Sequence, residues 1–215
     1  MDAYLLLRFA HLLGLMLMSA GLIGVFVSDM RSRQVRDLKL FAQAVTLIAV
    51  FYDGLVIPGA LLLLGSGTWL IVSYHDGWSF LTVPWLAGMV LLFAFEFIEG
   101  NTITRLYFMR LRRLTREALA AGQVTPELAR ARSEQLASFT HFLDIPILVV
   151  IVSLGALRPN DWTQFIVATG LAVAFASALN SAIPRIYPWS GEDRSPMAGD
   201  DKFLDSHGRS PSDTA

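Results

Sequence analysis

Three pairs of ionisable side chains within apolar stretches are the residues of this sequence best suited to chemistry. The pairs are Arg8 with His11, Glu96 with Glu99, and His141 with Asp144. Residues three positions apart lie on one face of an α-helix, so each pair presents both side chains in the same direction. Ionisable groups at membrane depth are costly and usually face a bundle interior, a cavity or a partner.

His11 is the candidate ligand of a haem iron. A neutral imidazole coordinates iron, and the guanidinium of Arg8, one turn away, matches a haem propionate. His141 is the candidate second ligand, although it belongs near the opposite surface. The alternative is a His11 ring hydrogen-bonded to a neighbouring hydroxyl or backbone group, with Arg8 reaching the lipid headgroups.

The intramembrane carboxylates predict a proton or charge relay. They are Asp53, Glu96, Glu99 and Asp144. Two other interpretations stay open: a divalent metal held by the acidic residues and His141, or ion pairs of Glu99 and Asp144 with arginines such as Arg105.

The elements that position these residues are membrane spans. The chain of 215 residues is 54% hydrophobic and only 16% charged, well below the roughly 25% of soluble domains. Its apolar runs predict an all-α bundle of five transmembrane helices. The predicted spans are 3–27, 40–74, 80–108, 137–157 and 163–183 within a bundle of residues 1–189, and residues 190–215 are predicted to be a disordered tail. Pro58 predicts a kink in the second span.

Charged loops predict the orientation. Arginines concentrate after the first span and between the third and fourth, where 109–136 predicts a helical hairpin restarting at Thr125-Pro126 and running on into the fourth span. The positive-inside rule then places the N-terminus outside, and the hairpin and C-terminus in the cytoplasm. No cysteine is present, which excludes thiolate ligands, and the formal net charge of −1 gives no indication of a nucleic-acid partner.

Short motifs in this order resemble a four-span membrane family. Arg8-x-x-His11, Pro58 followed by Gly67-Thr68-Trp69-Leu70, Asp144-Ile145-Pro146 and Arg158-Pro159 are similar to patterns of bacterial protoporphyrinogen IX oxidase. The same plan occurs in copper-resistance protein D and in an uncharacterised family of predicted integral membrane proteins. The resemblance covers residues 3–160. It implies haem b on His11 and a multi-pass protein of the bacterial inner membrane.

The chain departs from the oxidase pattern in its third span. Residues 86–89 and 96–100 lack the lysine and histidine that the oxidase has there, so protoporphyrinogen oxidation is not inferred. The leading hypothesis is a haem-associated protein of membrane electron transfer, and whether it is an enzyme stays open. The alternatives are a metal-ion or small-solute permease subunit, or an accessory protein that packs against a partner. Expected partners are the lipid bilayer and a second copy or a membrane redox protein.

Overall fold

The structure, a computed structural model, describes residues 2–75 and 77–187, and its regular elements there are all helical. The α-helices are α1 (Ala3–Gln34), α2 (Leu38–Phe51), α3 (Ile57–Tyr74), α4 (Pro84–Glu99), α5 (Arg105–Ala121), α6 (Pro126–Arg132), α7 (Gln135–Leu157) and α8 (Thr163–Ile186). Five continuous rods are long and apolar enough to span a membrane: α1, α2–α3, α4–α5, α7 and α8. The predicted five-span bundle is confirmed. The predicted tail, 190–215, lies outside the described residues.

Two of the rods contain a π-helical turn. Tyr52–Val56 joins α2 to α3, and Gly100–Thr104 joins α4 to α5. Pro58 is the second residue of α3, just after the first turn, and its ring would clash with the carbonyl four residues earlier in a regular helix. The wider π-turn relieves that clash. The departure from regular α-helix, predicted as a kink at Pro58, therefore takes the form of a π-turn that begins at Tyr52.

The first helix is longer than predicted. The prediction ended the span at residue 27, before a basic turn, whereas α1 continues to Gln34 and the turn to α2 is short. Because residues 28–34 contain neither proline nor glycine, nothing in them stops a helix. The extra two turns carry Asp29 and Arg33 into the bundle, where both side chains are buried.

Helices α1 and α7 form the centre of the bundle. α1 packs on α2, α3 and α7, and α7 packs on α1, α4 and α8. At the α1–α3 crossing a Cβ on Gly59 would lie 2.5 Å from the backbone nitrogen of Met18, so only glycine permits this approach. In its most apolar window α7 buries 56% of its residues and α8 only 17%, which places the fifth span at the periphery.

The predicted helical hairpin between the third and fourth spans is present, with one difference. Thr125 caps α6 by accepting a hydrogen bond from the Leu128 amide, as its sequence indicates. α6 does not run on into the fourth span, because the helix ends at Arg132 and α7 starts at Gln135. Leu111 and Leu128 are fully buried in the same core as Phe41, so the hairpin packs on the bundle. We call this side of the molecule the hairpin end.

Candidate functional site

A cluster of charged and polar side chains is buried inside the bundle at the hairpin end. We call it the buried polar cluster. Its members are Asp29 and Arg33 on α1, Glu96 and Glu99 on α4, Thr104 in the second π-turn, Arg132 on α6, and Thr140, His141 and Asp144 on α7. Such groups are rarely buried unless they are paired, so their contacts decide what the cluster can do.

One half of the cluster is an ion-paired group around Asp29. Its Oδ2 accepts a hydrogen bond from Arg33 Nε at 2.8 Å, and its Oδ1 accepts one from Arg132 Nη1 at 3.1 Å. Burial alone would lower the pKa of Arg132, but the attraction of Asp29 outweighs it and raises that pKa above its usual value. Two cations therefore share one fully buried carboxylate, and the group depends on Asp29 for its charge balance.

His141 lies between this ion-paired half and an acidic half. Its Nε2 is 3.8 Å from Asp29 Oδ2, and its Nδ1 is 3.6 Å from Asp144 Oδ2. The ring is 3% exposed, and Phe108 packs against it edge-on at 5.2 Å between ring centroids. Both separations exceed a hydrogen bond slightly, so a small movement would let the imidazole exchange a proton with either carboxylate.

The acidic half contains three buried carboxyl groups on two helices. Asp144 and Glu99 both interact electrostatically with Glu96. Thr104 Oγ1 donates a hydrogen bond to Glu99 Oε1 at 2.7 Å, whereas Glu96 Oε1 is buried and has no hydrogen-bond partner among the described residues. Adjacent carboxylates cannot all stay ionised without a large cost, so such a group holds protons or a cation.

A tyrosine connects the two π-turns beside the acidic half. Tyr52 OH donates a hydrogen bond to the Gly100 carbonyl at 2.6 Å. A Cβ on Gly100 would lie 2.9 Å from that hydroxyl oxygen, so glycine is needed for this contact. Tyr52 also interacts electrostatically with Asp144, Glu99 and Glu96. π-turns in helices are frequent at functional sites, and here both border the same carboxyl groups.

The Arg8–His11 pair lies near the other end of α1 and has a different environment. His11 is half-buried, and its Nδ1 is 3.1 Å from Ser66 Oγ on α3. Ser66 donates its own proton to the Leu62 carbonyl, so it accepts one from His11 Nδ1. Arg8 is exposed and lies over the Tyr4 ring at 5.5 Å, so it does not join His11.

The two predicted haem ligands are not brought together. Asp29 follows His11 by 18 residues on the same helix, which separates them by about 27 Å along its axis. Because His141 contacts Asp29, the two histidines lie at opposite ends of α1 and cannot bind one iron.

The structure brings together three of the four carboxylates of the predicted relay. Glu96, Glu99 and Asp144 meet, but the Asp53 side chain is 54% exposed on the outside of the bundle and pairs with Arg105 at 3.4 Å. Asp53 therefore lies apart from the other three carboxylates, because its side chain is exposed whereas its neighbours Tyr52 and Val56 are buried. Arg105 pairs with Asp53 rather than with Glu99 or Asp144. Within 2–75 and 77–187, no three His, Cys, Asp or Glu side chains are arranged to hold a metal ion.

The sequence patterns described above do not single out Asp29, Arg33 and Arg132, which the structure places in the cluster. Asp29 and Arg33 are four apart, the spacing of a helical ion pair, and extending the first helix would have found them. Arg132 lies 103 residues from Asp29 and resembles the other hairpin arginines in its sequence context. No local signal distinguishes it.

The comparison with protein families agrees with this architecture. A model of a family described as predicted integral membrane protein (DUF2269) matches residues 5–159. The chain belongs to the DUF2269 family. Neither a curated protein nor a solved structure matches it. The match covers every member of the buried polar cluster and excludes α8. It supports a multi-pass integral membrane protein. It does not support the resemblance to the oxidase or to copper-resistance protein D.

Proposed function

We propose that this DUF2269 chain is a proton-coupled integral membrane protein in which the buried polar cluster takes up and releases protons from the hairpin end. The observation that carries the proposal is the position of His141, buried between Asp29 and Asp144 within 4 Å of both. An imidazole changes its charge near neutral pH, which makes it the side chain best suited to transfer protons between carboxylates.

The direction of transfer follows from the order of the groups. Arg33, Arg132 and Asp29 lie nearest the hairpin loops, His141 comes next, and Asp144, Glu99 and Glu96 follow toward the middle of the bundle. The orphaned Oε1 of Glu96 is a suitable end point, because binding a proton there removes an uncompensated charge.

Access is one-sided. Beyond Glu96 the core between α4, α7 and α8 is apolar, with Leu92, Ile147, Ile151 and Leu154 buried in one cluster. Such a layer resists ions and protons. The site therefore loads from the hairpin end without forming an open channel, as coupling to a solute or to a membrane redox partner requires. The predicted orientation makes that end cytoplasmic, and the bacterial inner membrane is the proposed location.

Infrared difference spectroscopy of the purified full-length protein in lipid nanodiscs tests the proposal. A step from alkaline to acidic pH should increase the C=O stretching band of protonated carboxyl groups. Glu96→Gln should remove part of that band, and His141→Gln should slow its appearance after a rapid pH jump. Elution as a single symmetric species in size-exclusion chromatography establishes that each variant is folded.

Asp53→Asn is the matched control, because Asp53 is a carboxylate of the same membrane region but lies on the exterior. We expect Asp53→Asn to leave unchanged the part of the C=O band that Glu96→Gln removes. Equal effects of Glu96→Gln and Asp53→Asn, or no buried carboxyl that responds to pH, would contradict the proposal.

A haem protein is the second candidate, and one observation favours it. The hydrogen bond from His11 Nδ1 to Ser66 leaves Nε2 unprotonated, and a histidine that ligates a metal is commonly oriented in this way. His11 would then be the single protein ligand of haem b, which would supply electron-transfer chemistry. A Soret band that His11→Ala abolishes and His141→Ala retains supports this candidate, and a colourless protein purified after haem supplementation counts against it.

A further inference from the structure

A cavity of about 480 Å³ opens at the hairpin end, beside the buried polar cluster. It lies between α1, the junction of α6 with α7, and the end of α8. The buried side chains of Arg33, Arg132 and Ser138 line its inner part. Exposed residues surround its mouth, among them Ser133, Gln135, Ser181 and Arg185. This volume is typical of pockets that bind small ligands.

The cavity carries excess positive charge. Both buried arginines, Arg33 and Arg132, line it, whereas Asp29, the carboxylate that pairs with them, does not. Arg185 adds a further positive charge at the mouth, and it has no ion pair in the part of the chain that the structure describes. Glu134 also lines the cavity, but Arg110 pairs with it at 3.2 Å. The electrostatics thus favour an anion.

Hydrogen-bond donors are available in the same place. α7 begins at the cavity with Gln135, and its N-cap residue, Glu134, makes no side-chain hydrogen bond to the helix. Amides of a first helical turn lack partners within the helix and carry the positive end of its dipole. The arginines and these amides together match the oxygens of a phosphate group.

We propose that this cavity binds a phosphate-bearing anion, with Arg33 in its inner part and Arg185 at its mouth. The anion has two possible sources, the headgroup of an acidic phospholipid or a soluble phosphate compound. Basic pockets between membrane helices commonly bind acidic headgroups, and Ile186 beside the mouth is 63% exposed, as a lipid-facing residue would be. The cavity shares Arg33 and Arg132 with the buried polar cluster, but Arg185 lies outside that cluster, so variants of Arg185 test anion binding without altering the groups proposed to transfer protons.

Two binding measurements on the full-length protein distinguish the sources. Inorganic phosphate is titrated calorimetrically into detergent-solubilised protein, and retention of phosphatidylglycerol over phosphatidylcholine is measured by native mass spectrometry of protein from mixed nanodiscs. Arg185→Gln should weaken binding about tenfold, the equivalent of one charge-assisted hydrogen bond. Arg185→Glu should abolish it by reversing the charge.

Arg116→Gln and Arg116→Glu are the controls, because Arg116 is an exposed arginine of the hairpin that does not line the cavity. Phosphate binding that only the Arg185 variants weaken supports a soluble ligand. If the protein retains phosphatidylglycerol selectively, if only the Arg185 variants reduce that retention, and if inorganic phosphate does not bind, the ligand is a lipid headgroup. Absence of both, or equal losses in the Arg116 variants, overturns the proposal.

Discussion

Two ends of α1 carry ionisable residues at helical spacing, and the bundle treats them differently. At one end Arg8 is exposed and His11 is half-buried with a single serine partner. At the other end Asp29 and Arg33 are buried and connect to α6 and α7. Spacing along one helix decides which side chains share a face. The neighbouring helices decide whether that face becomes a buried network or a lipid-facing surface.

The same comparison explains why we place the proposed function in the cluster and not in the N-terminal pair. The cluster draws side chains from four helices and one π-turn, so each charge has several possible partners. Among the described residues, the His11 side chain is hydrogen-bonded to Ser66 and the Arg8 side chain contacts the Tyr4 ring. Proton transfer requires several titratable groups in sequence, and of these two regions the cluster provides them.

The largest effect is expected from Asp29→Asn. The substitution keeps the side-chain shape but removes the buried carboxylate that pairs with both Arg33 and Arg132, so it should destabilise the fold by about 3–5 kcal/mol. Reversible unfolding in mixed detergent micelles measures this loss. Asp53→Asn, the same change at an exposed ion pair, should cost about 1 kcal/mol or less. Similar losses for the two variants would contradict the distinction between buried and peripheral charges.

An intermediate effect is expected from Thr104→Val. It removes the 2.7 Å hydrogen bond to Glu99 and leaves a buried carboxyl oxygen unsatisfied, at a cost of about 1–3 kcal/mol. Thr102→Val is the control, because the Thr102 hydroxyl is exposed and bonds only to the backbone of its own rod. The same unfolding assay should show a change of roughly 0.5 kcal/mol or less for the control. A larger loss for Thr102→Val would mean that the π-turn itself, not Glu99, is sensitive.

A smaller effect is expected at the other end of α1 from Ser66→Ala. The variant deprives His11 Nδ1 of its acceptor, and because the ring is only half-buried the cost should be about 1 kcal/mol. Without this acceptor the neutral imidazole should populate its two tautomers more equally, which nitrogen-15 NMR of labelled histidine would detect. An unchanged tautomer population would show that Ser66 does not orient the ring.

The smallest effect is expected from Arg8→Gln. Its contact with the Tyr4 ring is exposed, and such cation–π contacts contribute about 0.5–1 kcal/mol. The unfolding free energy should therefore change by no more than this amount. A loss comparable with that of Asp29→Asn would indicate that Arg8 holds a buried group after all.

The sequence by itself determined the membrane class, the number of spans and the helical faces of the three ionisable pairs. These follow from run length, hydropathy and residue spacing, which are local properties. It also placed Glu96, Glu99, His141 and Asp144 at one depth, and the structure brings them together. Asp53, which the sequence places near the middle of the second span, has its side chain on the exterior of the bundle, so depth alone does not predict which carboxylates meet.

Only the tertiary structure decided the partners of these groups. Asp29 meets Arg132 across 103 residues, and His11 meets Ser66 across 55. Such pairs depend on how α1 crosses α3 at Gly59 and on where α6 ends, and neither is encoded in a local pattern. Hydropathy fixes which segments enter the bilayer, but the charge balance of a buried cluster is fixed only when the helices pack.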